Sequence, residues 1–162
     1  MPSSGTADSP RGRRHVGVIG ASECDARLAG LAEEVGAAIA RAGAVLVCGG
    51  MGGVMAAACR GAKRAGGTTV GILPGPDRSG ANAWVDVAIA SGIGEARNLA
   101  IIRTSDALVA VGGSYGTLSE IGFALRMGKK VVGLETWGIK GIERAAAPGQ
   151  AVEAALGGAP LP

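Results

Sequence analysis

The stretch Val109-Ala110-Val111-Gly112-Gly113-Ser114-Tyr115-Gly116-Thr117-Leu118-Ser119-Glu120 decides how the rest of the chain reads. Its start, continued back to Ala107, is an unbroken apolar run closed by glycine, the pattern of a strand buried on both faces of a parallel sheet. The glycines then lead into a segment whose spacing predicts a helix over 117–127. A strand that passes through a glycine loop into a helix gathers free backbone N–H groups and the positive end of a helix dipole. That combination suits an anion, typically a phosphate. Glycine lets the backbone approach closely, and the Thr117 hydroxyl adds a donor. The plainer reading is a tight strand–helix turn in which Thr117-x-x-Glu120 forms a capping box.

The same unit recurs on either side. His15–Ile19 is a short buried-strand run ending in Gly20-Ala21-Ser22, and residues 27–42 place Leu28, Leu31, Val35, Ala38, Ile39 and Ala42 at helical spacing. Ala44–Val47 reads as a strand ending in Gly49-Gly50-Met51-Gly52-Gly53, with a helix to about Ala65. Strands follow at Thr68–Leu73 and, more weakly, Val85–Ala90. A helix is expected over Glu95–Arg103, a strand over Lys130–Leu134 and a last helix near Gln150–Leu156. Alternating strands and helices predict an α/β fold, Rossmann-like and doubly wound, with a mostly parallel sheet covered by helices on both faces. Ligands of such sheets bind beyond the carboxyl ends of the strands, where all three glycine turns fall. One domain is expected over 15–157, with a disordered basic leader over 1–14 and a loose tail over 158–162.

Composition narrows the function. The chain has 162 residues and a net charge of +3. Arg11, Arg13 and Arg14 against Asp8 put +2 of that in the first 14 residues. The remainder carries no basic face of the kind a nucleic-acid binder needs, so no nucleic-acid partner is expected. No apolar run reaches 20 residues, which argues against a membrane span, and residues 1–14 lack the apolar segment of a secretory signal. Cys24, Cys48 and Cys59 form no CxxC pair and read as reduced thiols of a cytoplasmic protein. His15 is the single histidine, so no metal site is expected.

Two sharper motifs fail on the residues they lack. Gly112-Gly113-Ser114-Tyr115-Gly116 matches the G-x-S-x-G nucleophile elbow, but no histidine follows Ser114 to serve as base. Gly50-x-Gly52 approaches the dinucleotide fingerprint, but Met55 stands where its last glycine belongs, and a Walker lysine is also missing.

Cys48-Gly49-Gly50-Met51-Gly52-Gly53-Val54-Met55 followed by Gly112–Glu120 resembles the LOG family, often mislabelled lysine decarboxylases, within the wider SLOG group of Rossmann-like proteins. The resemblance spans roughly residues 14–137. It implies a homodimer or higher homo-oligomer and, for the best-characterised members, a phosphoribohydrolase that splits a nucleoside 5′-monophosphate into base and ribose 5-phosphate. It also implies that Glu120 and Arg97 act at the sugar. A carboxylate can stabilise the oxocarbenium-like sugar or position water, and an arginine can hold phosphate or departing base. Asn98 stands where those enzymes carry lysine, and Val111 where they carry proline. In both features the chain is more similar to a branch of small proteins that includes the molybdenum-cofactor carriers. The site expected on this reading joins Arg97 and Glu120 to a phosphate- and ligand-binding rim of Gly20, Ser22, Gly49, Gly50, Met51, Gly52, Asn98, Gly112, Gly113, Ser114, Tyr115, Gly116 and Thr117. The ligand expected is a nucleoside monophosphate, the molybdenum cofactor or a related phosphorylated molecule, with no resident cofactor required, and the protein is expected to hydrolyse it, to carry it or to act as a nucleotide-sensing module.

Overall fold

The computed structural model describes residues 12–158. Seven strands, β1 (His15–Gly20), β2 (Val45–Cys48), β3 (Thr68–Leu73), β4 (Val87–Ala90), β5 (Ala107–Val111), β6 (Lys130–Leu134) and β7 (Ile142–Arg144), form one sheet of order β4-β3-β2-β1-β5-β6-β7. Every neighbouring pair is parallel. The helices are α1 (Ala26–Arg41), α2 (Val54–Arg64), α3 (Arg97–Thr104), α4 (Tyr115–Arg126) and α5 (Pro148–Ala155).

Side-chain alternation along the strands divides the core into two layers. Val16, Val18, Leu46, Val109 and Val132 pack with buried residues of α1, α2 and α5 on one face. Ile19, Leu108, Ala110 and Val131 pack with Ile102 of α3 and with Ile121 and Ala124 of α4 on the other. The chain winds outward from β1 to β4, then returns to lay β5 against the free side of β1. The carboxyl ends of β1 and β5 therefore form the switch point of the sheet, where a crevice opens between diverging connections.

Small residues set the spacing of α1 and α2. A Cβ on Gly36 would stand 1.8 Å from the Ala58 carbonyl oxygen, and one on Gly61 would stand 1.8 Å from that of Glu33. Glu33 ties the same two helices by accepting from Arg60 and Arg64. Those cations hold its carboxyl below the usual carboxylate range.

Three expectations need correction, and one strand is new. The helix predicted from residue 117 begins at Tyr115, with Ser114 as its N-cap. Thr117 is then the third helical residue, and its Oγ1 accepts the Ser114 N–H at 3.2 Å. The proposed Thr117–Glu120 box does not form, because Glu120 lies a turn further on. The helix predicted from Glu95 opens as a 3-10 turn over Gly94–Ala96 and becomes α-helical at Arg97. Strand β7 has no counterpart in the sequence reading.

The leader expected over 1–14 lies outside the described residues except for Gly12–Arg14, as does most of the tail. Arg14 accepts the Val45 N–H through its carbonyl, and the Arg13 guanidinium donates to Thr68 Oγ1.

Candidate functional site

The turns after β1, β2 and β5 converge with the start of α3 on a cleft of about 440 Å³. Gly20, Ser22, Gly49 and Met51 contribute from the first two turns, and Arg97 and Asn98 from α3. Ser114, Gly116, Thr117 and Glu120 contribute from the head of α4. Ten of the residues singled out from the sequence thus share one cavity at the switch point.

Five do not line it. Gly50, with φ +73, packs against the backbone of Gly71, and Gly52 lies against the Ser22 carbonyl. Gly112 and Gly113 line a second cleft of about 300 Å³ with Glu135, Thr136 and Trp137. Tyr115 points to solvent, 89% exposed. Val18, Ile19, Met55, Pro74 and Glu95 also line the first cleft, and sequence reasoning missed them. No local motif marks Pro74 or Glu95, since only the parallel pairing of β3 and β4 and the turn before α3 bring them to the rim.

Arg97 is 8% exposed and positioned through backbone as well as side chains. Its Nε donates to the Ile72 carbonyl at the end of β3 at 3.1 Å. Nη1 donates to Asn98 Oδ1, and Nη2 lies 3.7 Å from Met51 Sδ. The close fit explains Gly49: a Cβ there would stand 2.7 Å from Met55 Sδ and 3.0 Å from Arg97 Nη2. Burial disfavours the guanidinium charge, opposed chiefly by Glu120 and then Glu95.

Glu120, 9% exposed, makes no hydrogen bond or ion pair among the described residues and faces the cleft. Burial pushes its carboxyl up to about 7, with Arg97 pulling only partly the other way. A carboxyl of that kind can donate as an acid or accept as a carboxylate near neutral pH.

The wall behind the second glycine turn is held by sulfur and amide contacts. Cys48 Sγ accepts the Gly50 N–H at 3.3 Å and lies 3.5 Å from Cys59 Sγ. Asn82 donates through Nδ2 to the Met51 carbonyl at 2.9 Å, and its own N–H donates to the Gly50 carbonyl at 2.8 Å. Among the described residues no three His, Cys, Asp or Glu side chains gather to hold a metal ion. None of the described helices is long and apolar enough to cross a membrane.

A parallel doubly wound sheet with this cleft at its switch point defines a Rossmann-like ligand-binding protein. The chain belongs to the SLOG cluster4 family, whose profile matches residues 13–155. It is 50% identical over 120 residues to an uncharacterized protein of Archaeoglobus fulgidus, covering 74% of this chain and 79% of that one. Two of the similar solved structures are of molybdenum-cofactor proteins. One is the molybdenum cofactor binding protein of Rippkaea orientalis, with a TM-score of 0.84 and 34% identity over 88% of this chain and 94% of that one. The other is the molybdenum cofactor carrier protein of Chlamydomonas reinhardtii, with a TM-score of 0.80 and 36% identity over 88% and 95%.

Proposed function

We propose that the chain is a carrier of a phosphorylated small molecule, of the class represented by the molybdenum cofactor, and binds it in the Arg97–Glu120 cleft without chemical turnover. The observation that carries this reading is an arginine and a glutamate, both nine-tenths buried, that face one cavity without pairing. Such groups are costly to bury and are expected where a ligand completes them. The N–H groups at the head of α4 receive the phosphate, aided by Ser114 and the Thr117 hydroxyl. Arg97 supplies the fixed positive charge. Glu120, protonated beside the phosphate, donates to the ring system. The likeness to two molybdenum cofactor-binding proteins supports the cargo class.

The second reading is a nucleoside-monophosphate phosphoribohydrolase. Its support is Glu120, because a carboxyl at about 7 suits a general acid at the departing base. Against it stands Asn98, whose amide oxygen occupies one guanidinium nitrogen of Arg97 where a second cation would strengthen anion binding. A homodimer is also proposed, with Leu118 and Phe123 on α4 and Val87 and Ile89 on β4 as exposed apolar surface for it. Light scattering on a sizing column measures that directly.

The deciding experiment pairs two readouts on one preparation. A pterin monophosphate is titrated by fluorescence, while AMP, CMP and GMP are incubated and assayed chromatographically for free base. Saturable pterin binding with no base released supports the carrier. Base release that Glu120→Gln abolishes replaces it with the hydrolase.

A further inference from the structure

The second cleft lies on the other side of the same glycine loop. Glu135 is the only non-glycine residue with a left-handed backbone among those described, at φ +51. The Arg27 guanidinium at the start of α1 grips both of its carboxylate oxygens. The chain after it turns Trp137 back onto the loop. Indole atoms Cζ3 and Cη2 lie only 2.7 and 2.9 Å from where a Cβ on Gly113 would stand, so the ring rests flush on that backbone. Trp137 nevertheless stays 37% exposed and borders the 300 Å³ cleft. In the same wall Thr136 Oγ1 has no hydrogen-bond partner.

A left-handed glutamate and a buried hydroxyl without a partner are each unfavourable in a free protein, and a part-exposed indole stands beside them. Their concentration in three consecutive residues is the pattern of a ligand site. A tryptophan face beside a phosphate-binding turn is a stacking surface for a flat heterocycle. Gly113 lines this cleft and Ser114 lines the first, so the head of α4 stands between the two.

We propose that Trp137 is the stacking wall of a second subsite, and that the preferred ligands are phosphate diesters or pyrophosphates carrying a ring system at each end. One end occupies the Arg97–Glu120 cleft, the bridging phosphate meets Ser114–Thr117, and the second ring lies on Trp137. This rests on reading the first cleft as a phosphate-ligand site. It adds that a mononucleotide fills only part of what the protein recognises.

The chain has two tryptophans, so Trp84→Phe leaves Trp137 as the sole indole reporter. That variant is titrated by fluorescence with AMP and with diadenosine pyrophosphate. Calorimetry on the native chain, Trp137→Ala and Trp137→Phe completes the set. The expected result is that the pyrophosphate quenches Trp137 and binds about tenfold tighter than AMP, as one stacked base allows. Trp137→Ala loses that advantage while keeping AMP affinity, and Trp137→Phe, which retains a ring and the loop packing, keeps it. Equal affinities for the two probes, or an advantage that survives Trp137→Ala, overturns the subsite. If neither probe binds, the subsite is overturned, while the pterin monophosphate titration decides the phosphate-site reading separately.

Discussion

Arg97 on the first turn of α3 and Glu120 on the second turn of α4 face one cleft without forming an ion pair. The reason lies in what else the guanidinium touches: the Ile72 carbonyl, Asn98 Oδ1 and Met51 Sδ hold it on its own side. Glu120 is left with burial as its dominant influence, and space for a ligand remains between the two charges.

That separation makes Glu120 a cost to folding at alkaline pH. Its folded value, about 7, lies above the ordinary 4.5, so the folded state binds more protons than the unfolded state between the two. Stability falls as pH rises through that window and stays lower above it. Glu120→Gln removes the cost. Urea denaturation should find the variant more stable by up to about 3 kcal/mol at pH 8.5, with the difference vanishing toward pH 4. An unchanged difference across that range would show that Glu120 titrates normally.

Ligand affinity should follow the same proton. A phosphate beside Glu120 disfavours the ionised carboxylate, so binding takes up a proton wherever the free protein has lost it. Pterin monophosphate affinity is expected to weaken about tenfold between pH 6.5 and 8. In Glu120→Gln the slope should flatten, and fluorescence titrations at four pH values test it.

Arg97 should prove sensitive to shape as well as charge. Lysine at this position keeps the charge but loses the fork that reaches Ile72 and the ligand together. Arg97→Ala should weaken phosphate-ligand binding roughly 10- to 100-fold, and Arg97→Lys should recover only part of it. Full recovery by lysine, seen in calorimetry, would mean the backbone anchor is irrelevant to recognition.

The crossing of α1 and α2 makes a separate claim. A methyl group at Gly61 cannot fit 1.8 Å from the Glu33 carbonyl oxygen, so Gly61→Ala must push the helices apart. A loss of about 3 kcal/mol or more is expected in chemical denaturation, at the upper end for overpacked cores. Gly30→Ala, on the same α1 with open space around it, should leave stability close to native.

Strands buried on both faces were the most legible parts of the sequence. Thr68–Leu73, Ala107–Val111 and Lys130–Leu134 coincide with β3, β5 and β6 to the residue, because a short, largely apolar run bounded by glycine, proline or charged residues has few other places to go. The head of α4 was misplaced by two residues because Ser114 and Thr117 are both competent caps, and only the loop geometry selects Ser114. Ile142–Arg144 could not be recognised as β7, since three residues carry no period and their pairing is imposed by β6. The glycine turns, Arg97 and Glu120 were legible as a constellation. Trp137 was not, because Arg27, far away in sequence, helps to fix the turn that carries it to Gly113.

Asn82 gives the protein an unexpected long lever. Through one side chain and one backbone amide it fastens the segment leading to the outermost strand onto Gly50 and Met51, two residues of the turn after β2 that borders the first cleft. Val87–Ala90 has a sheet neighbour on one side only, so its amides should be among the first to open to solvent. Occupancy of the rim would then be legible at the far border of the sheet, as slower amide exchange in a strand that does not line the cleft.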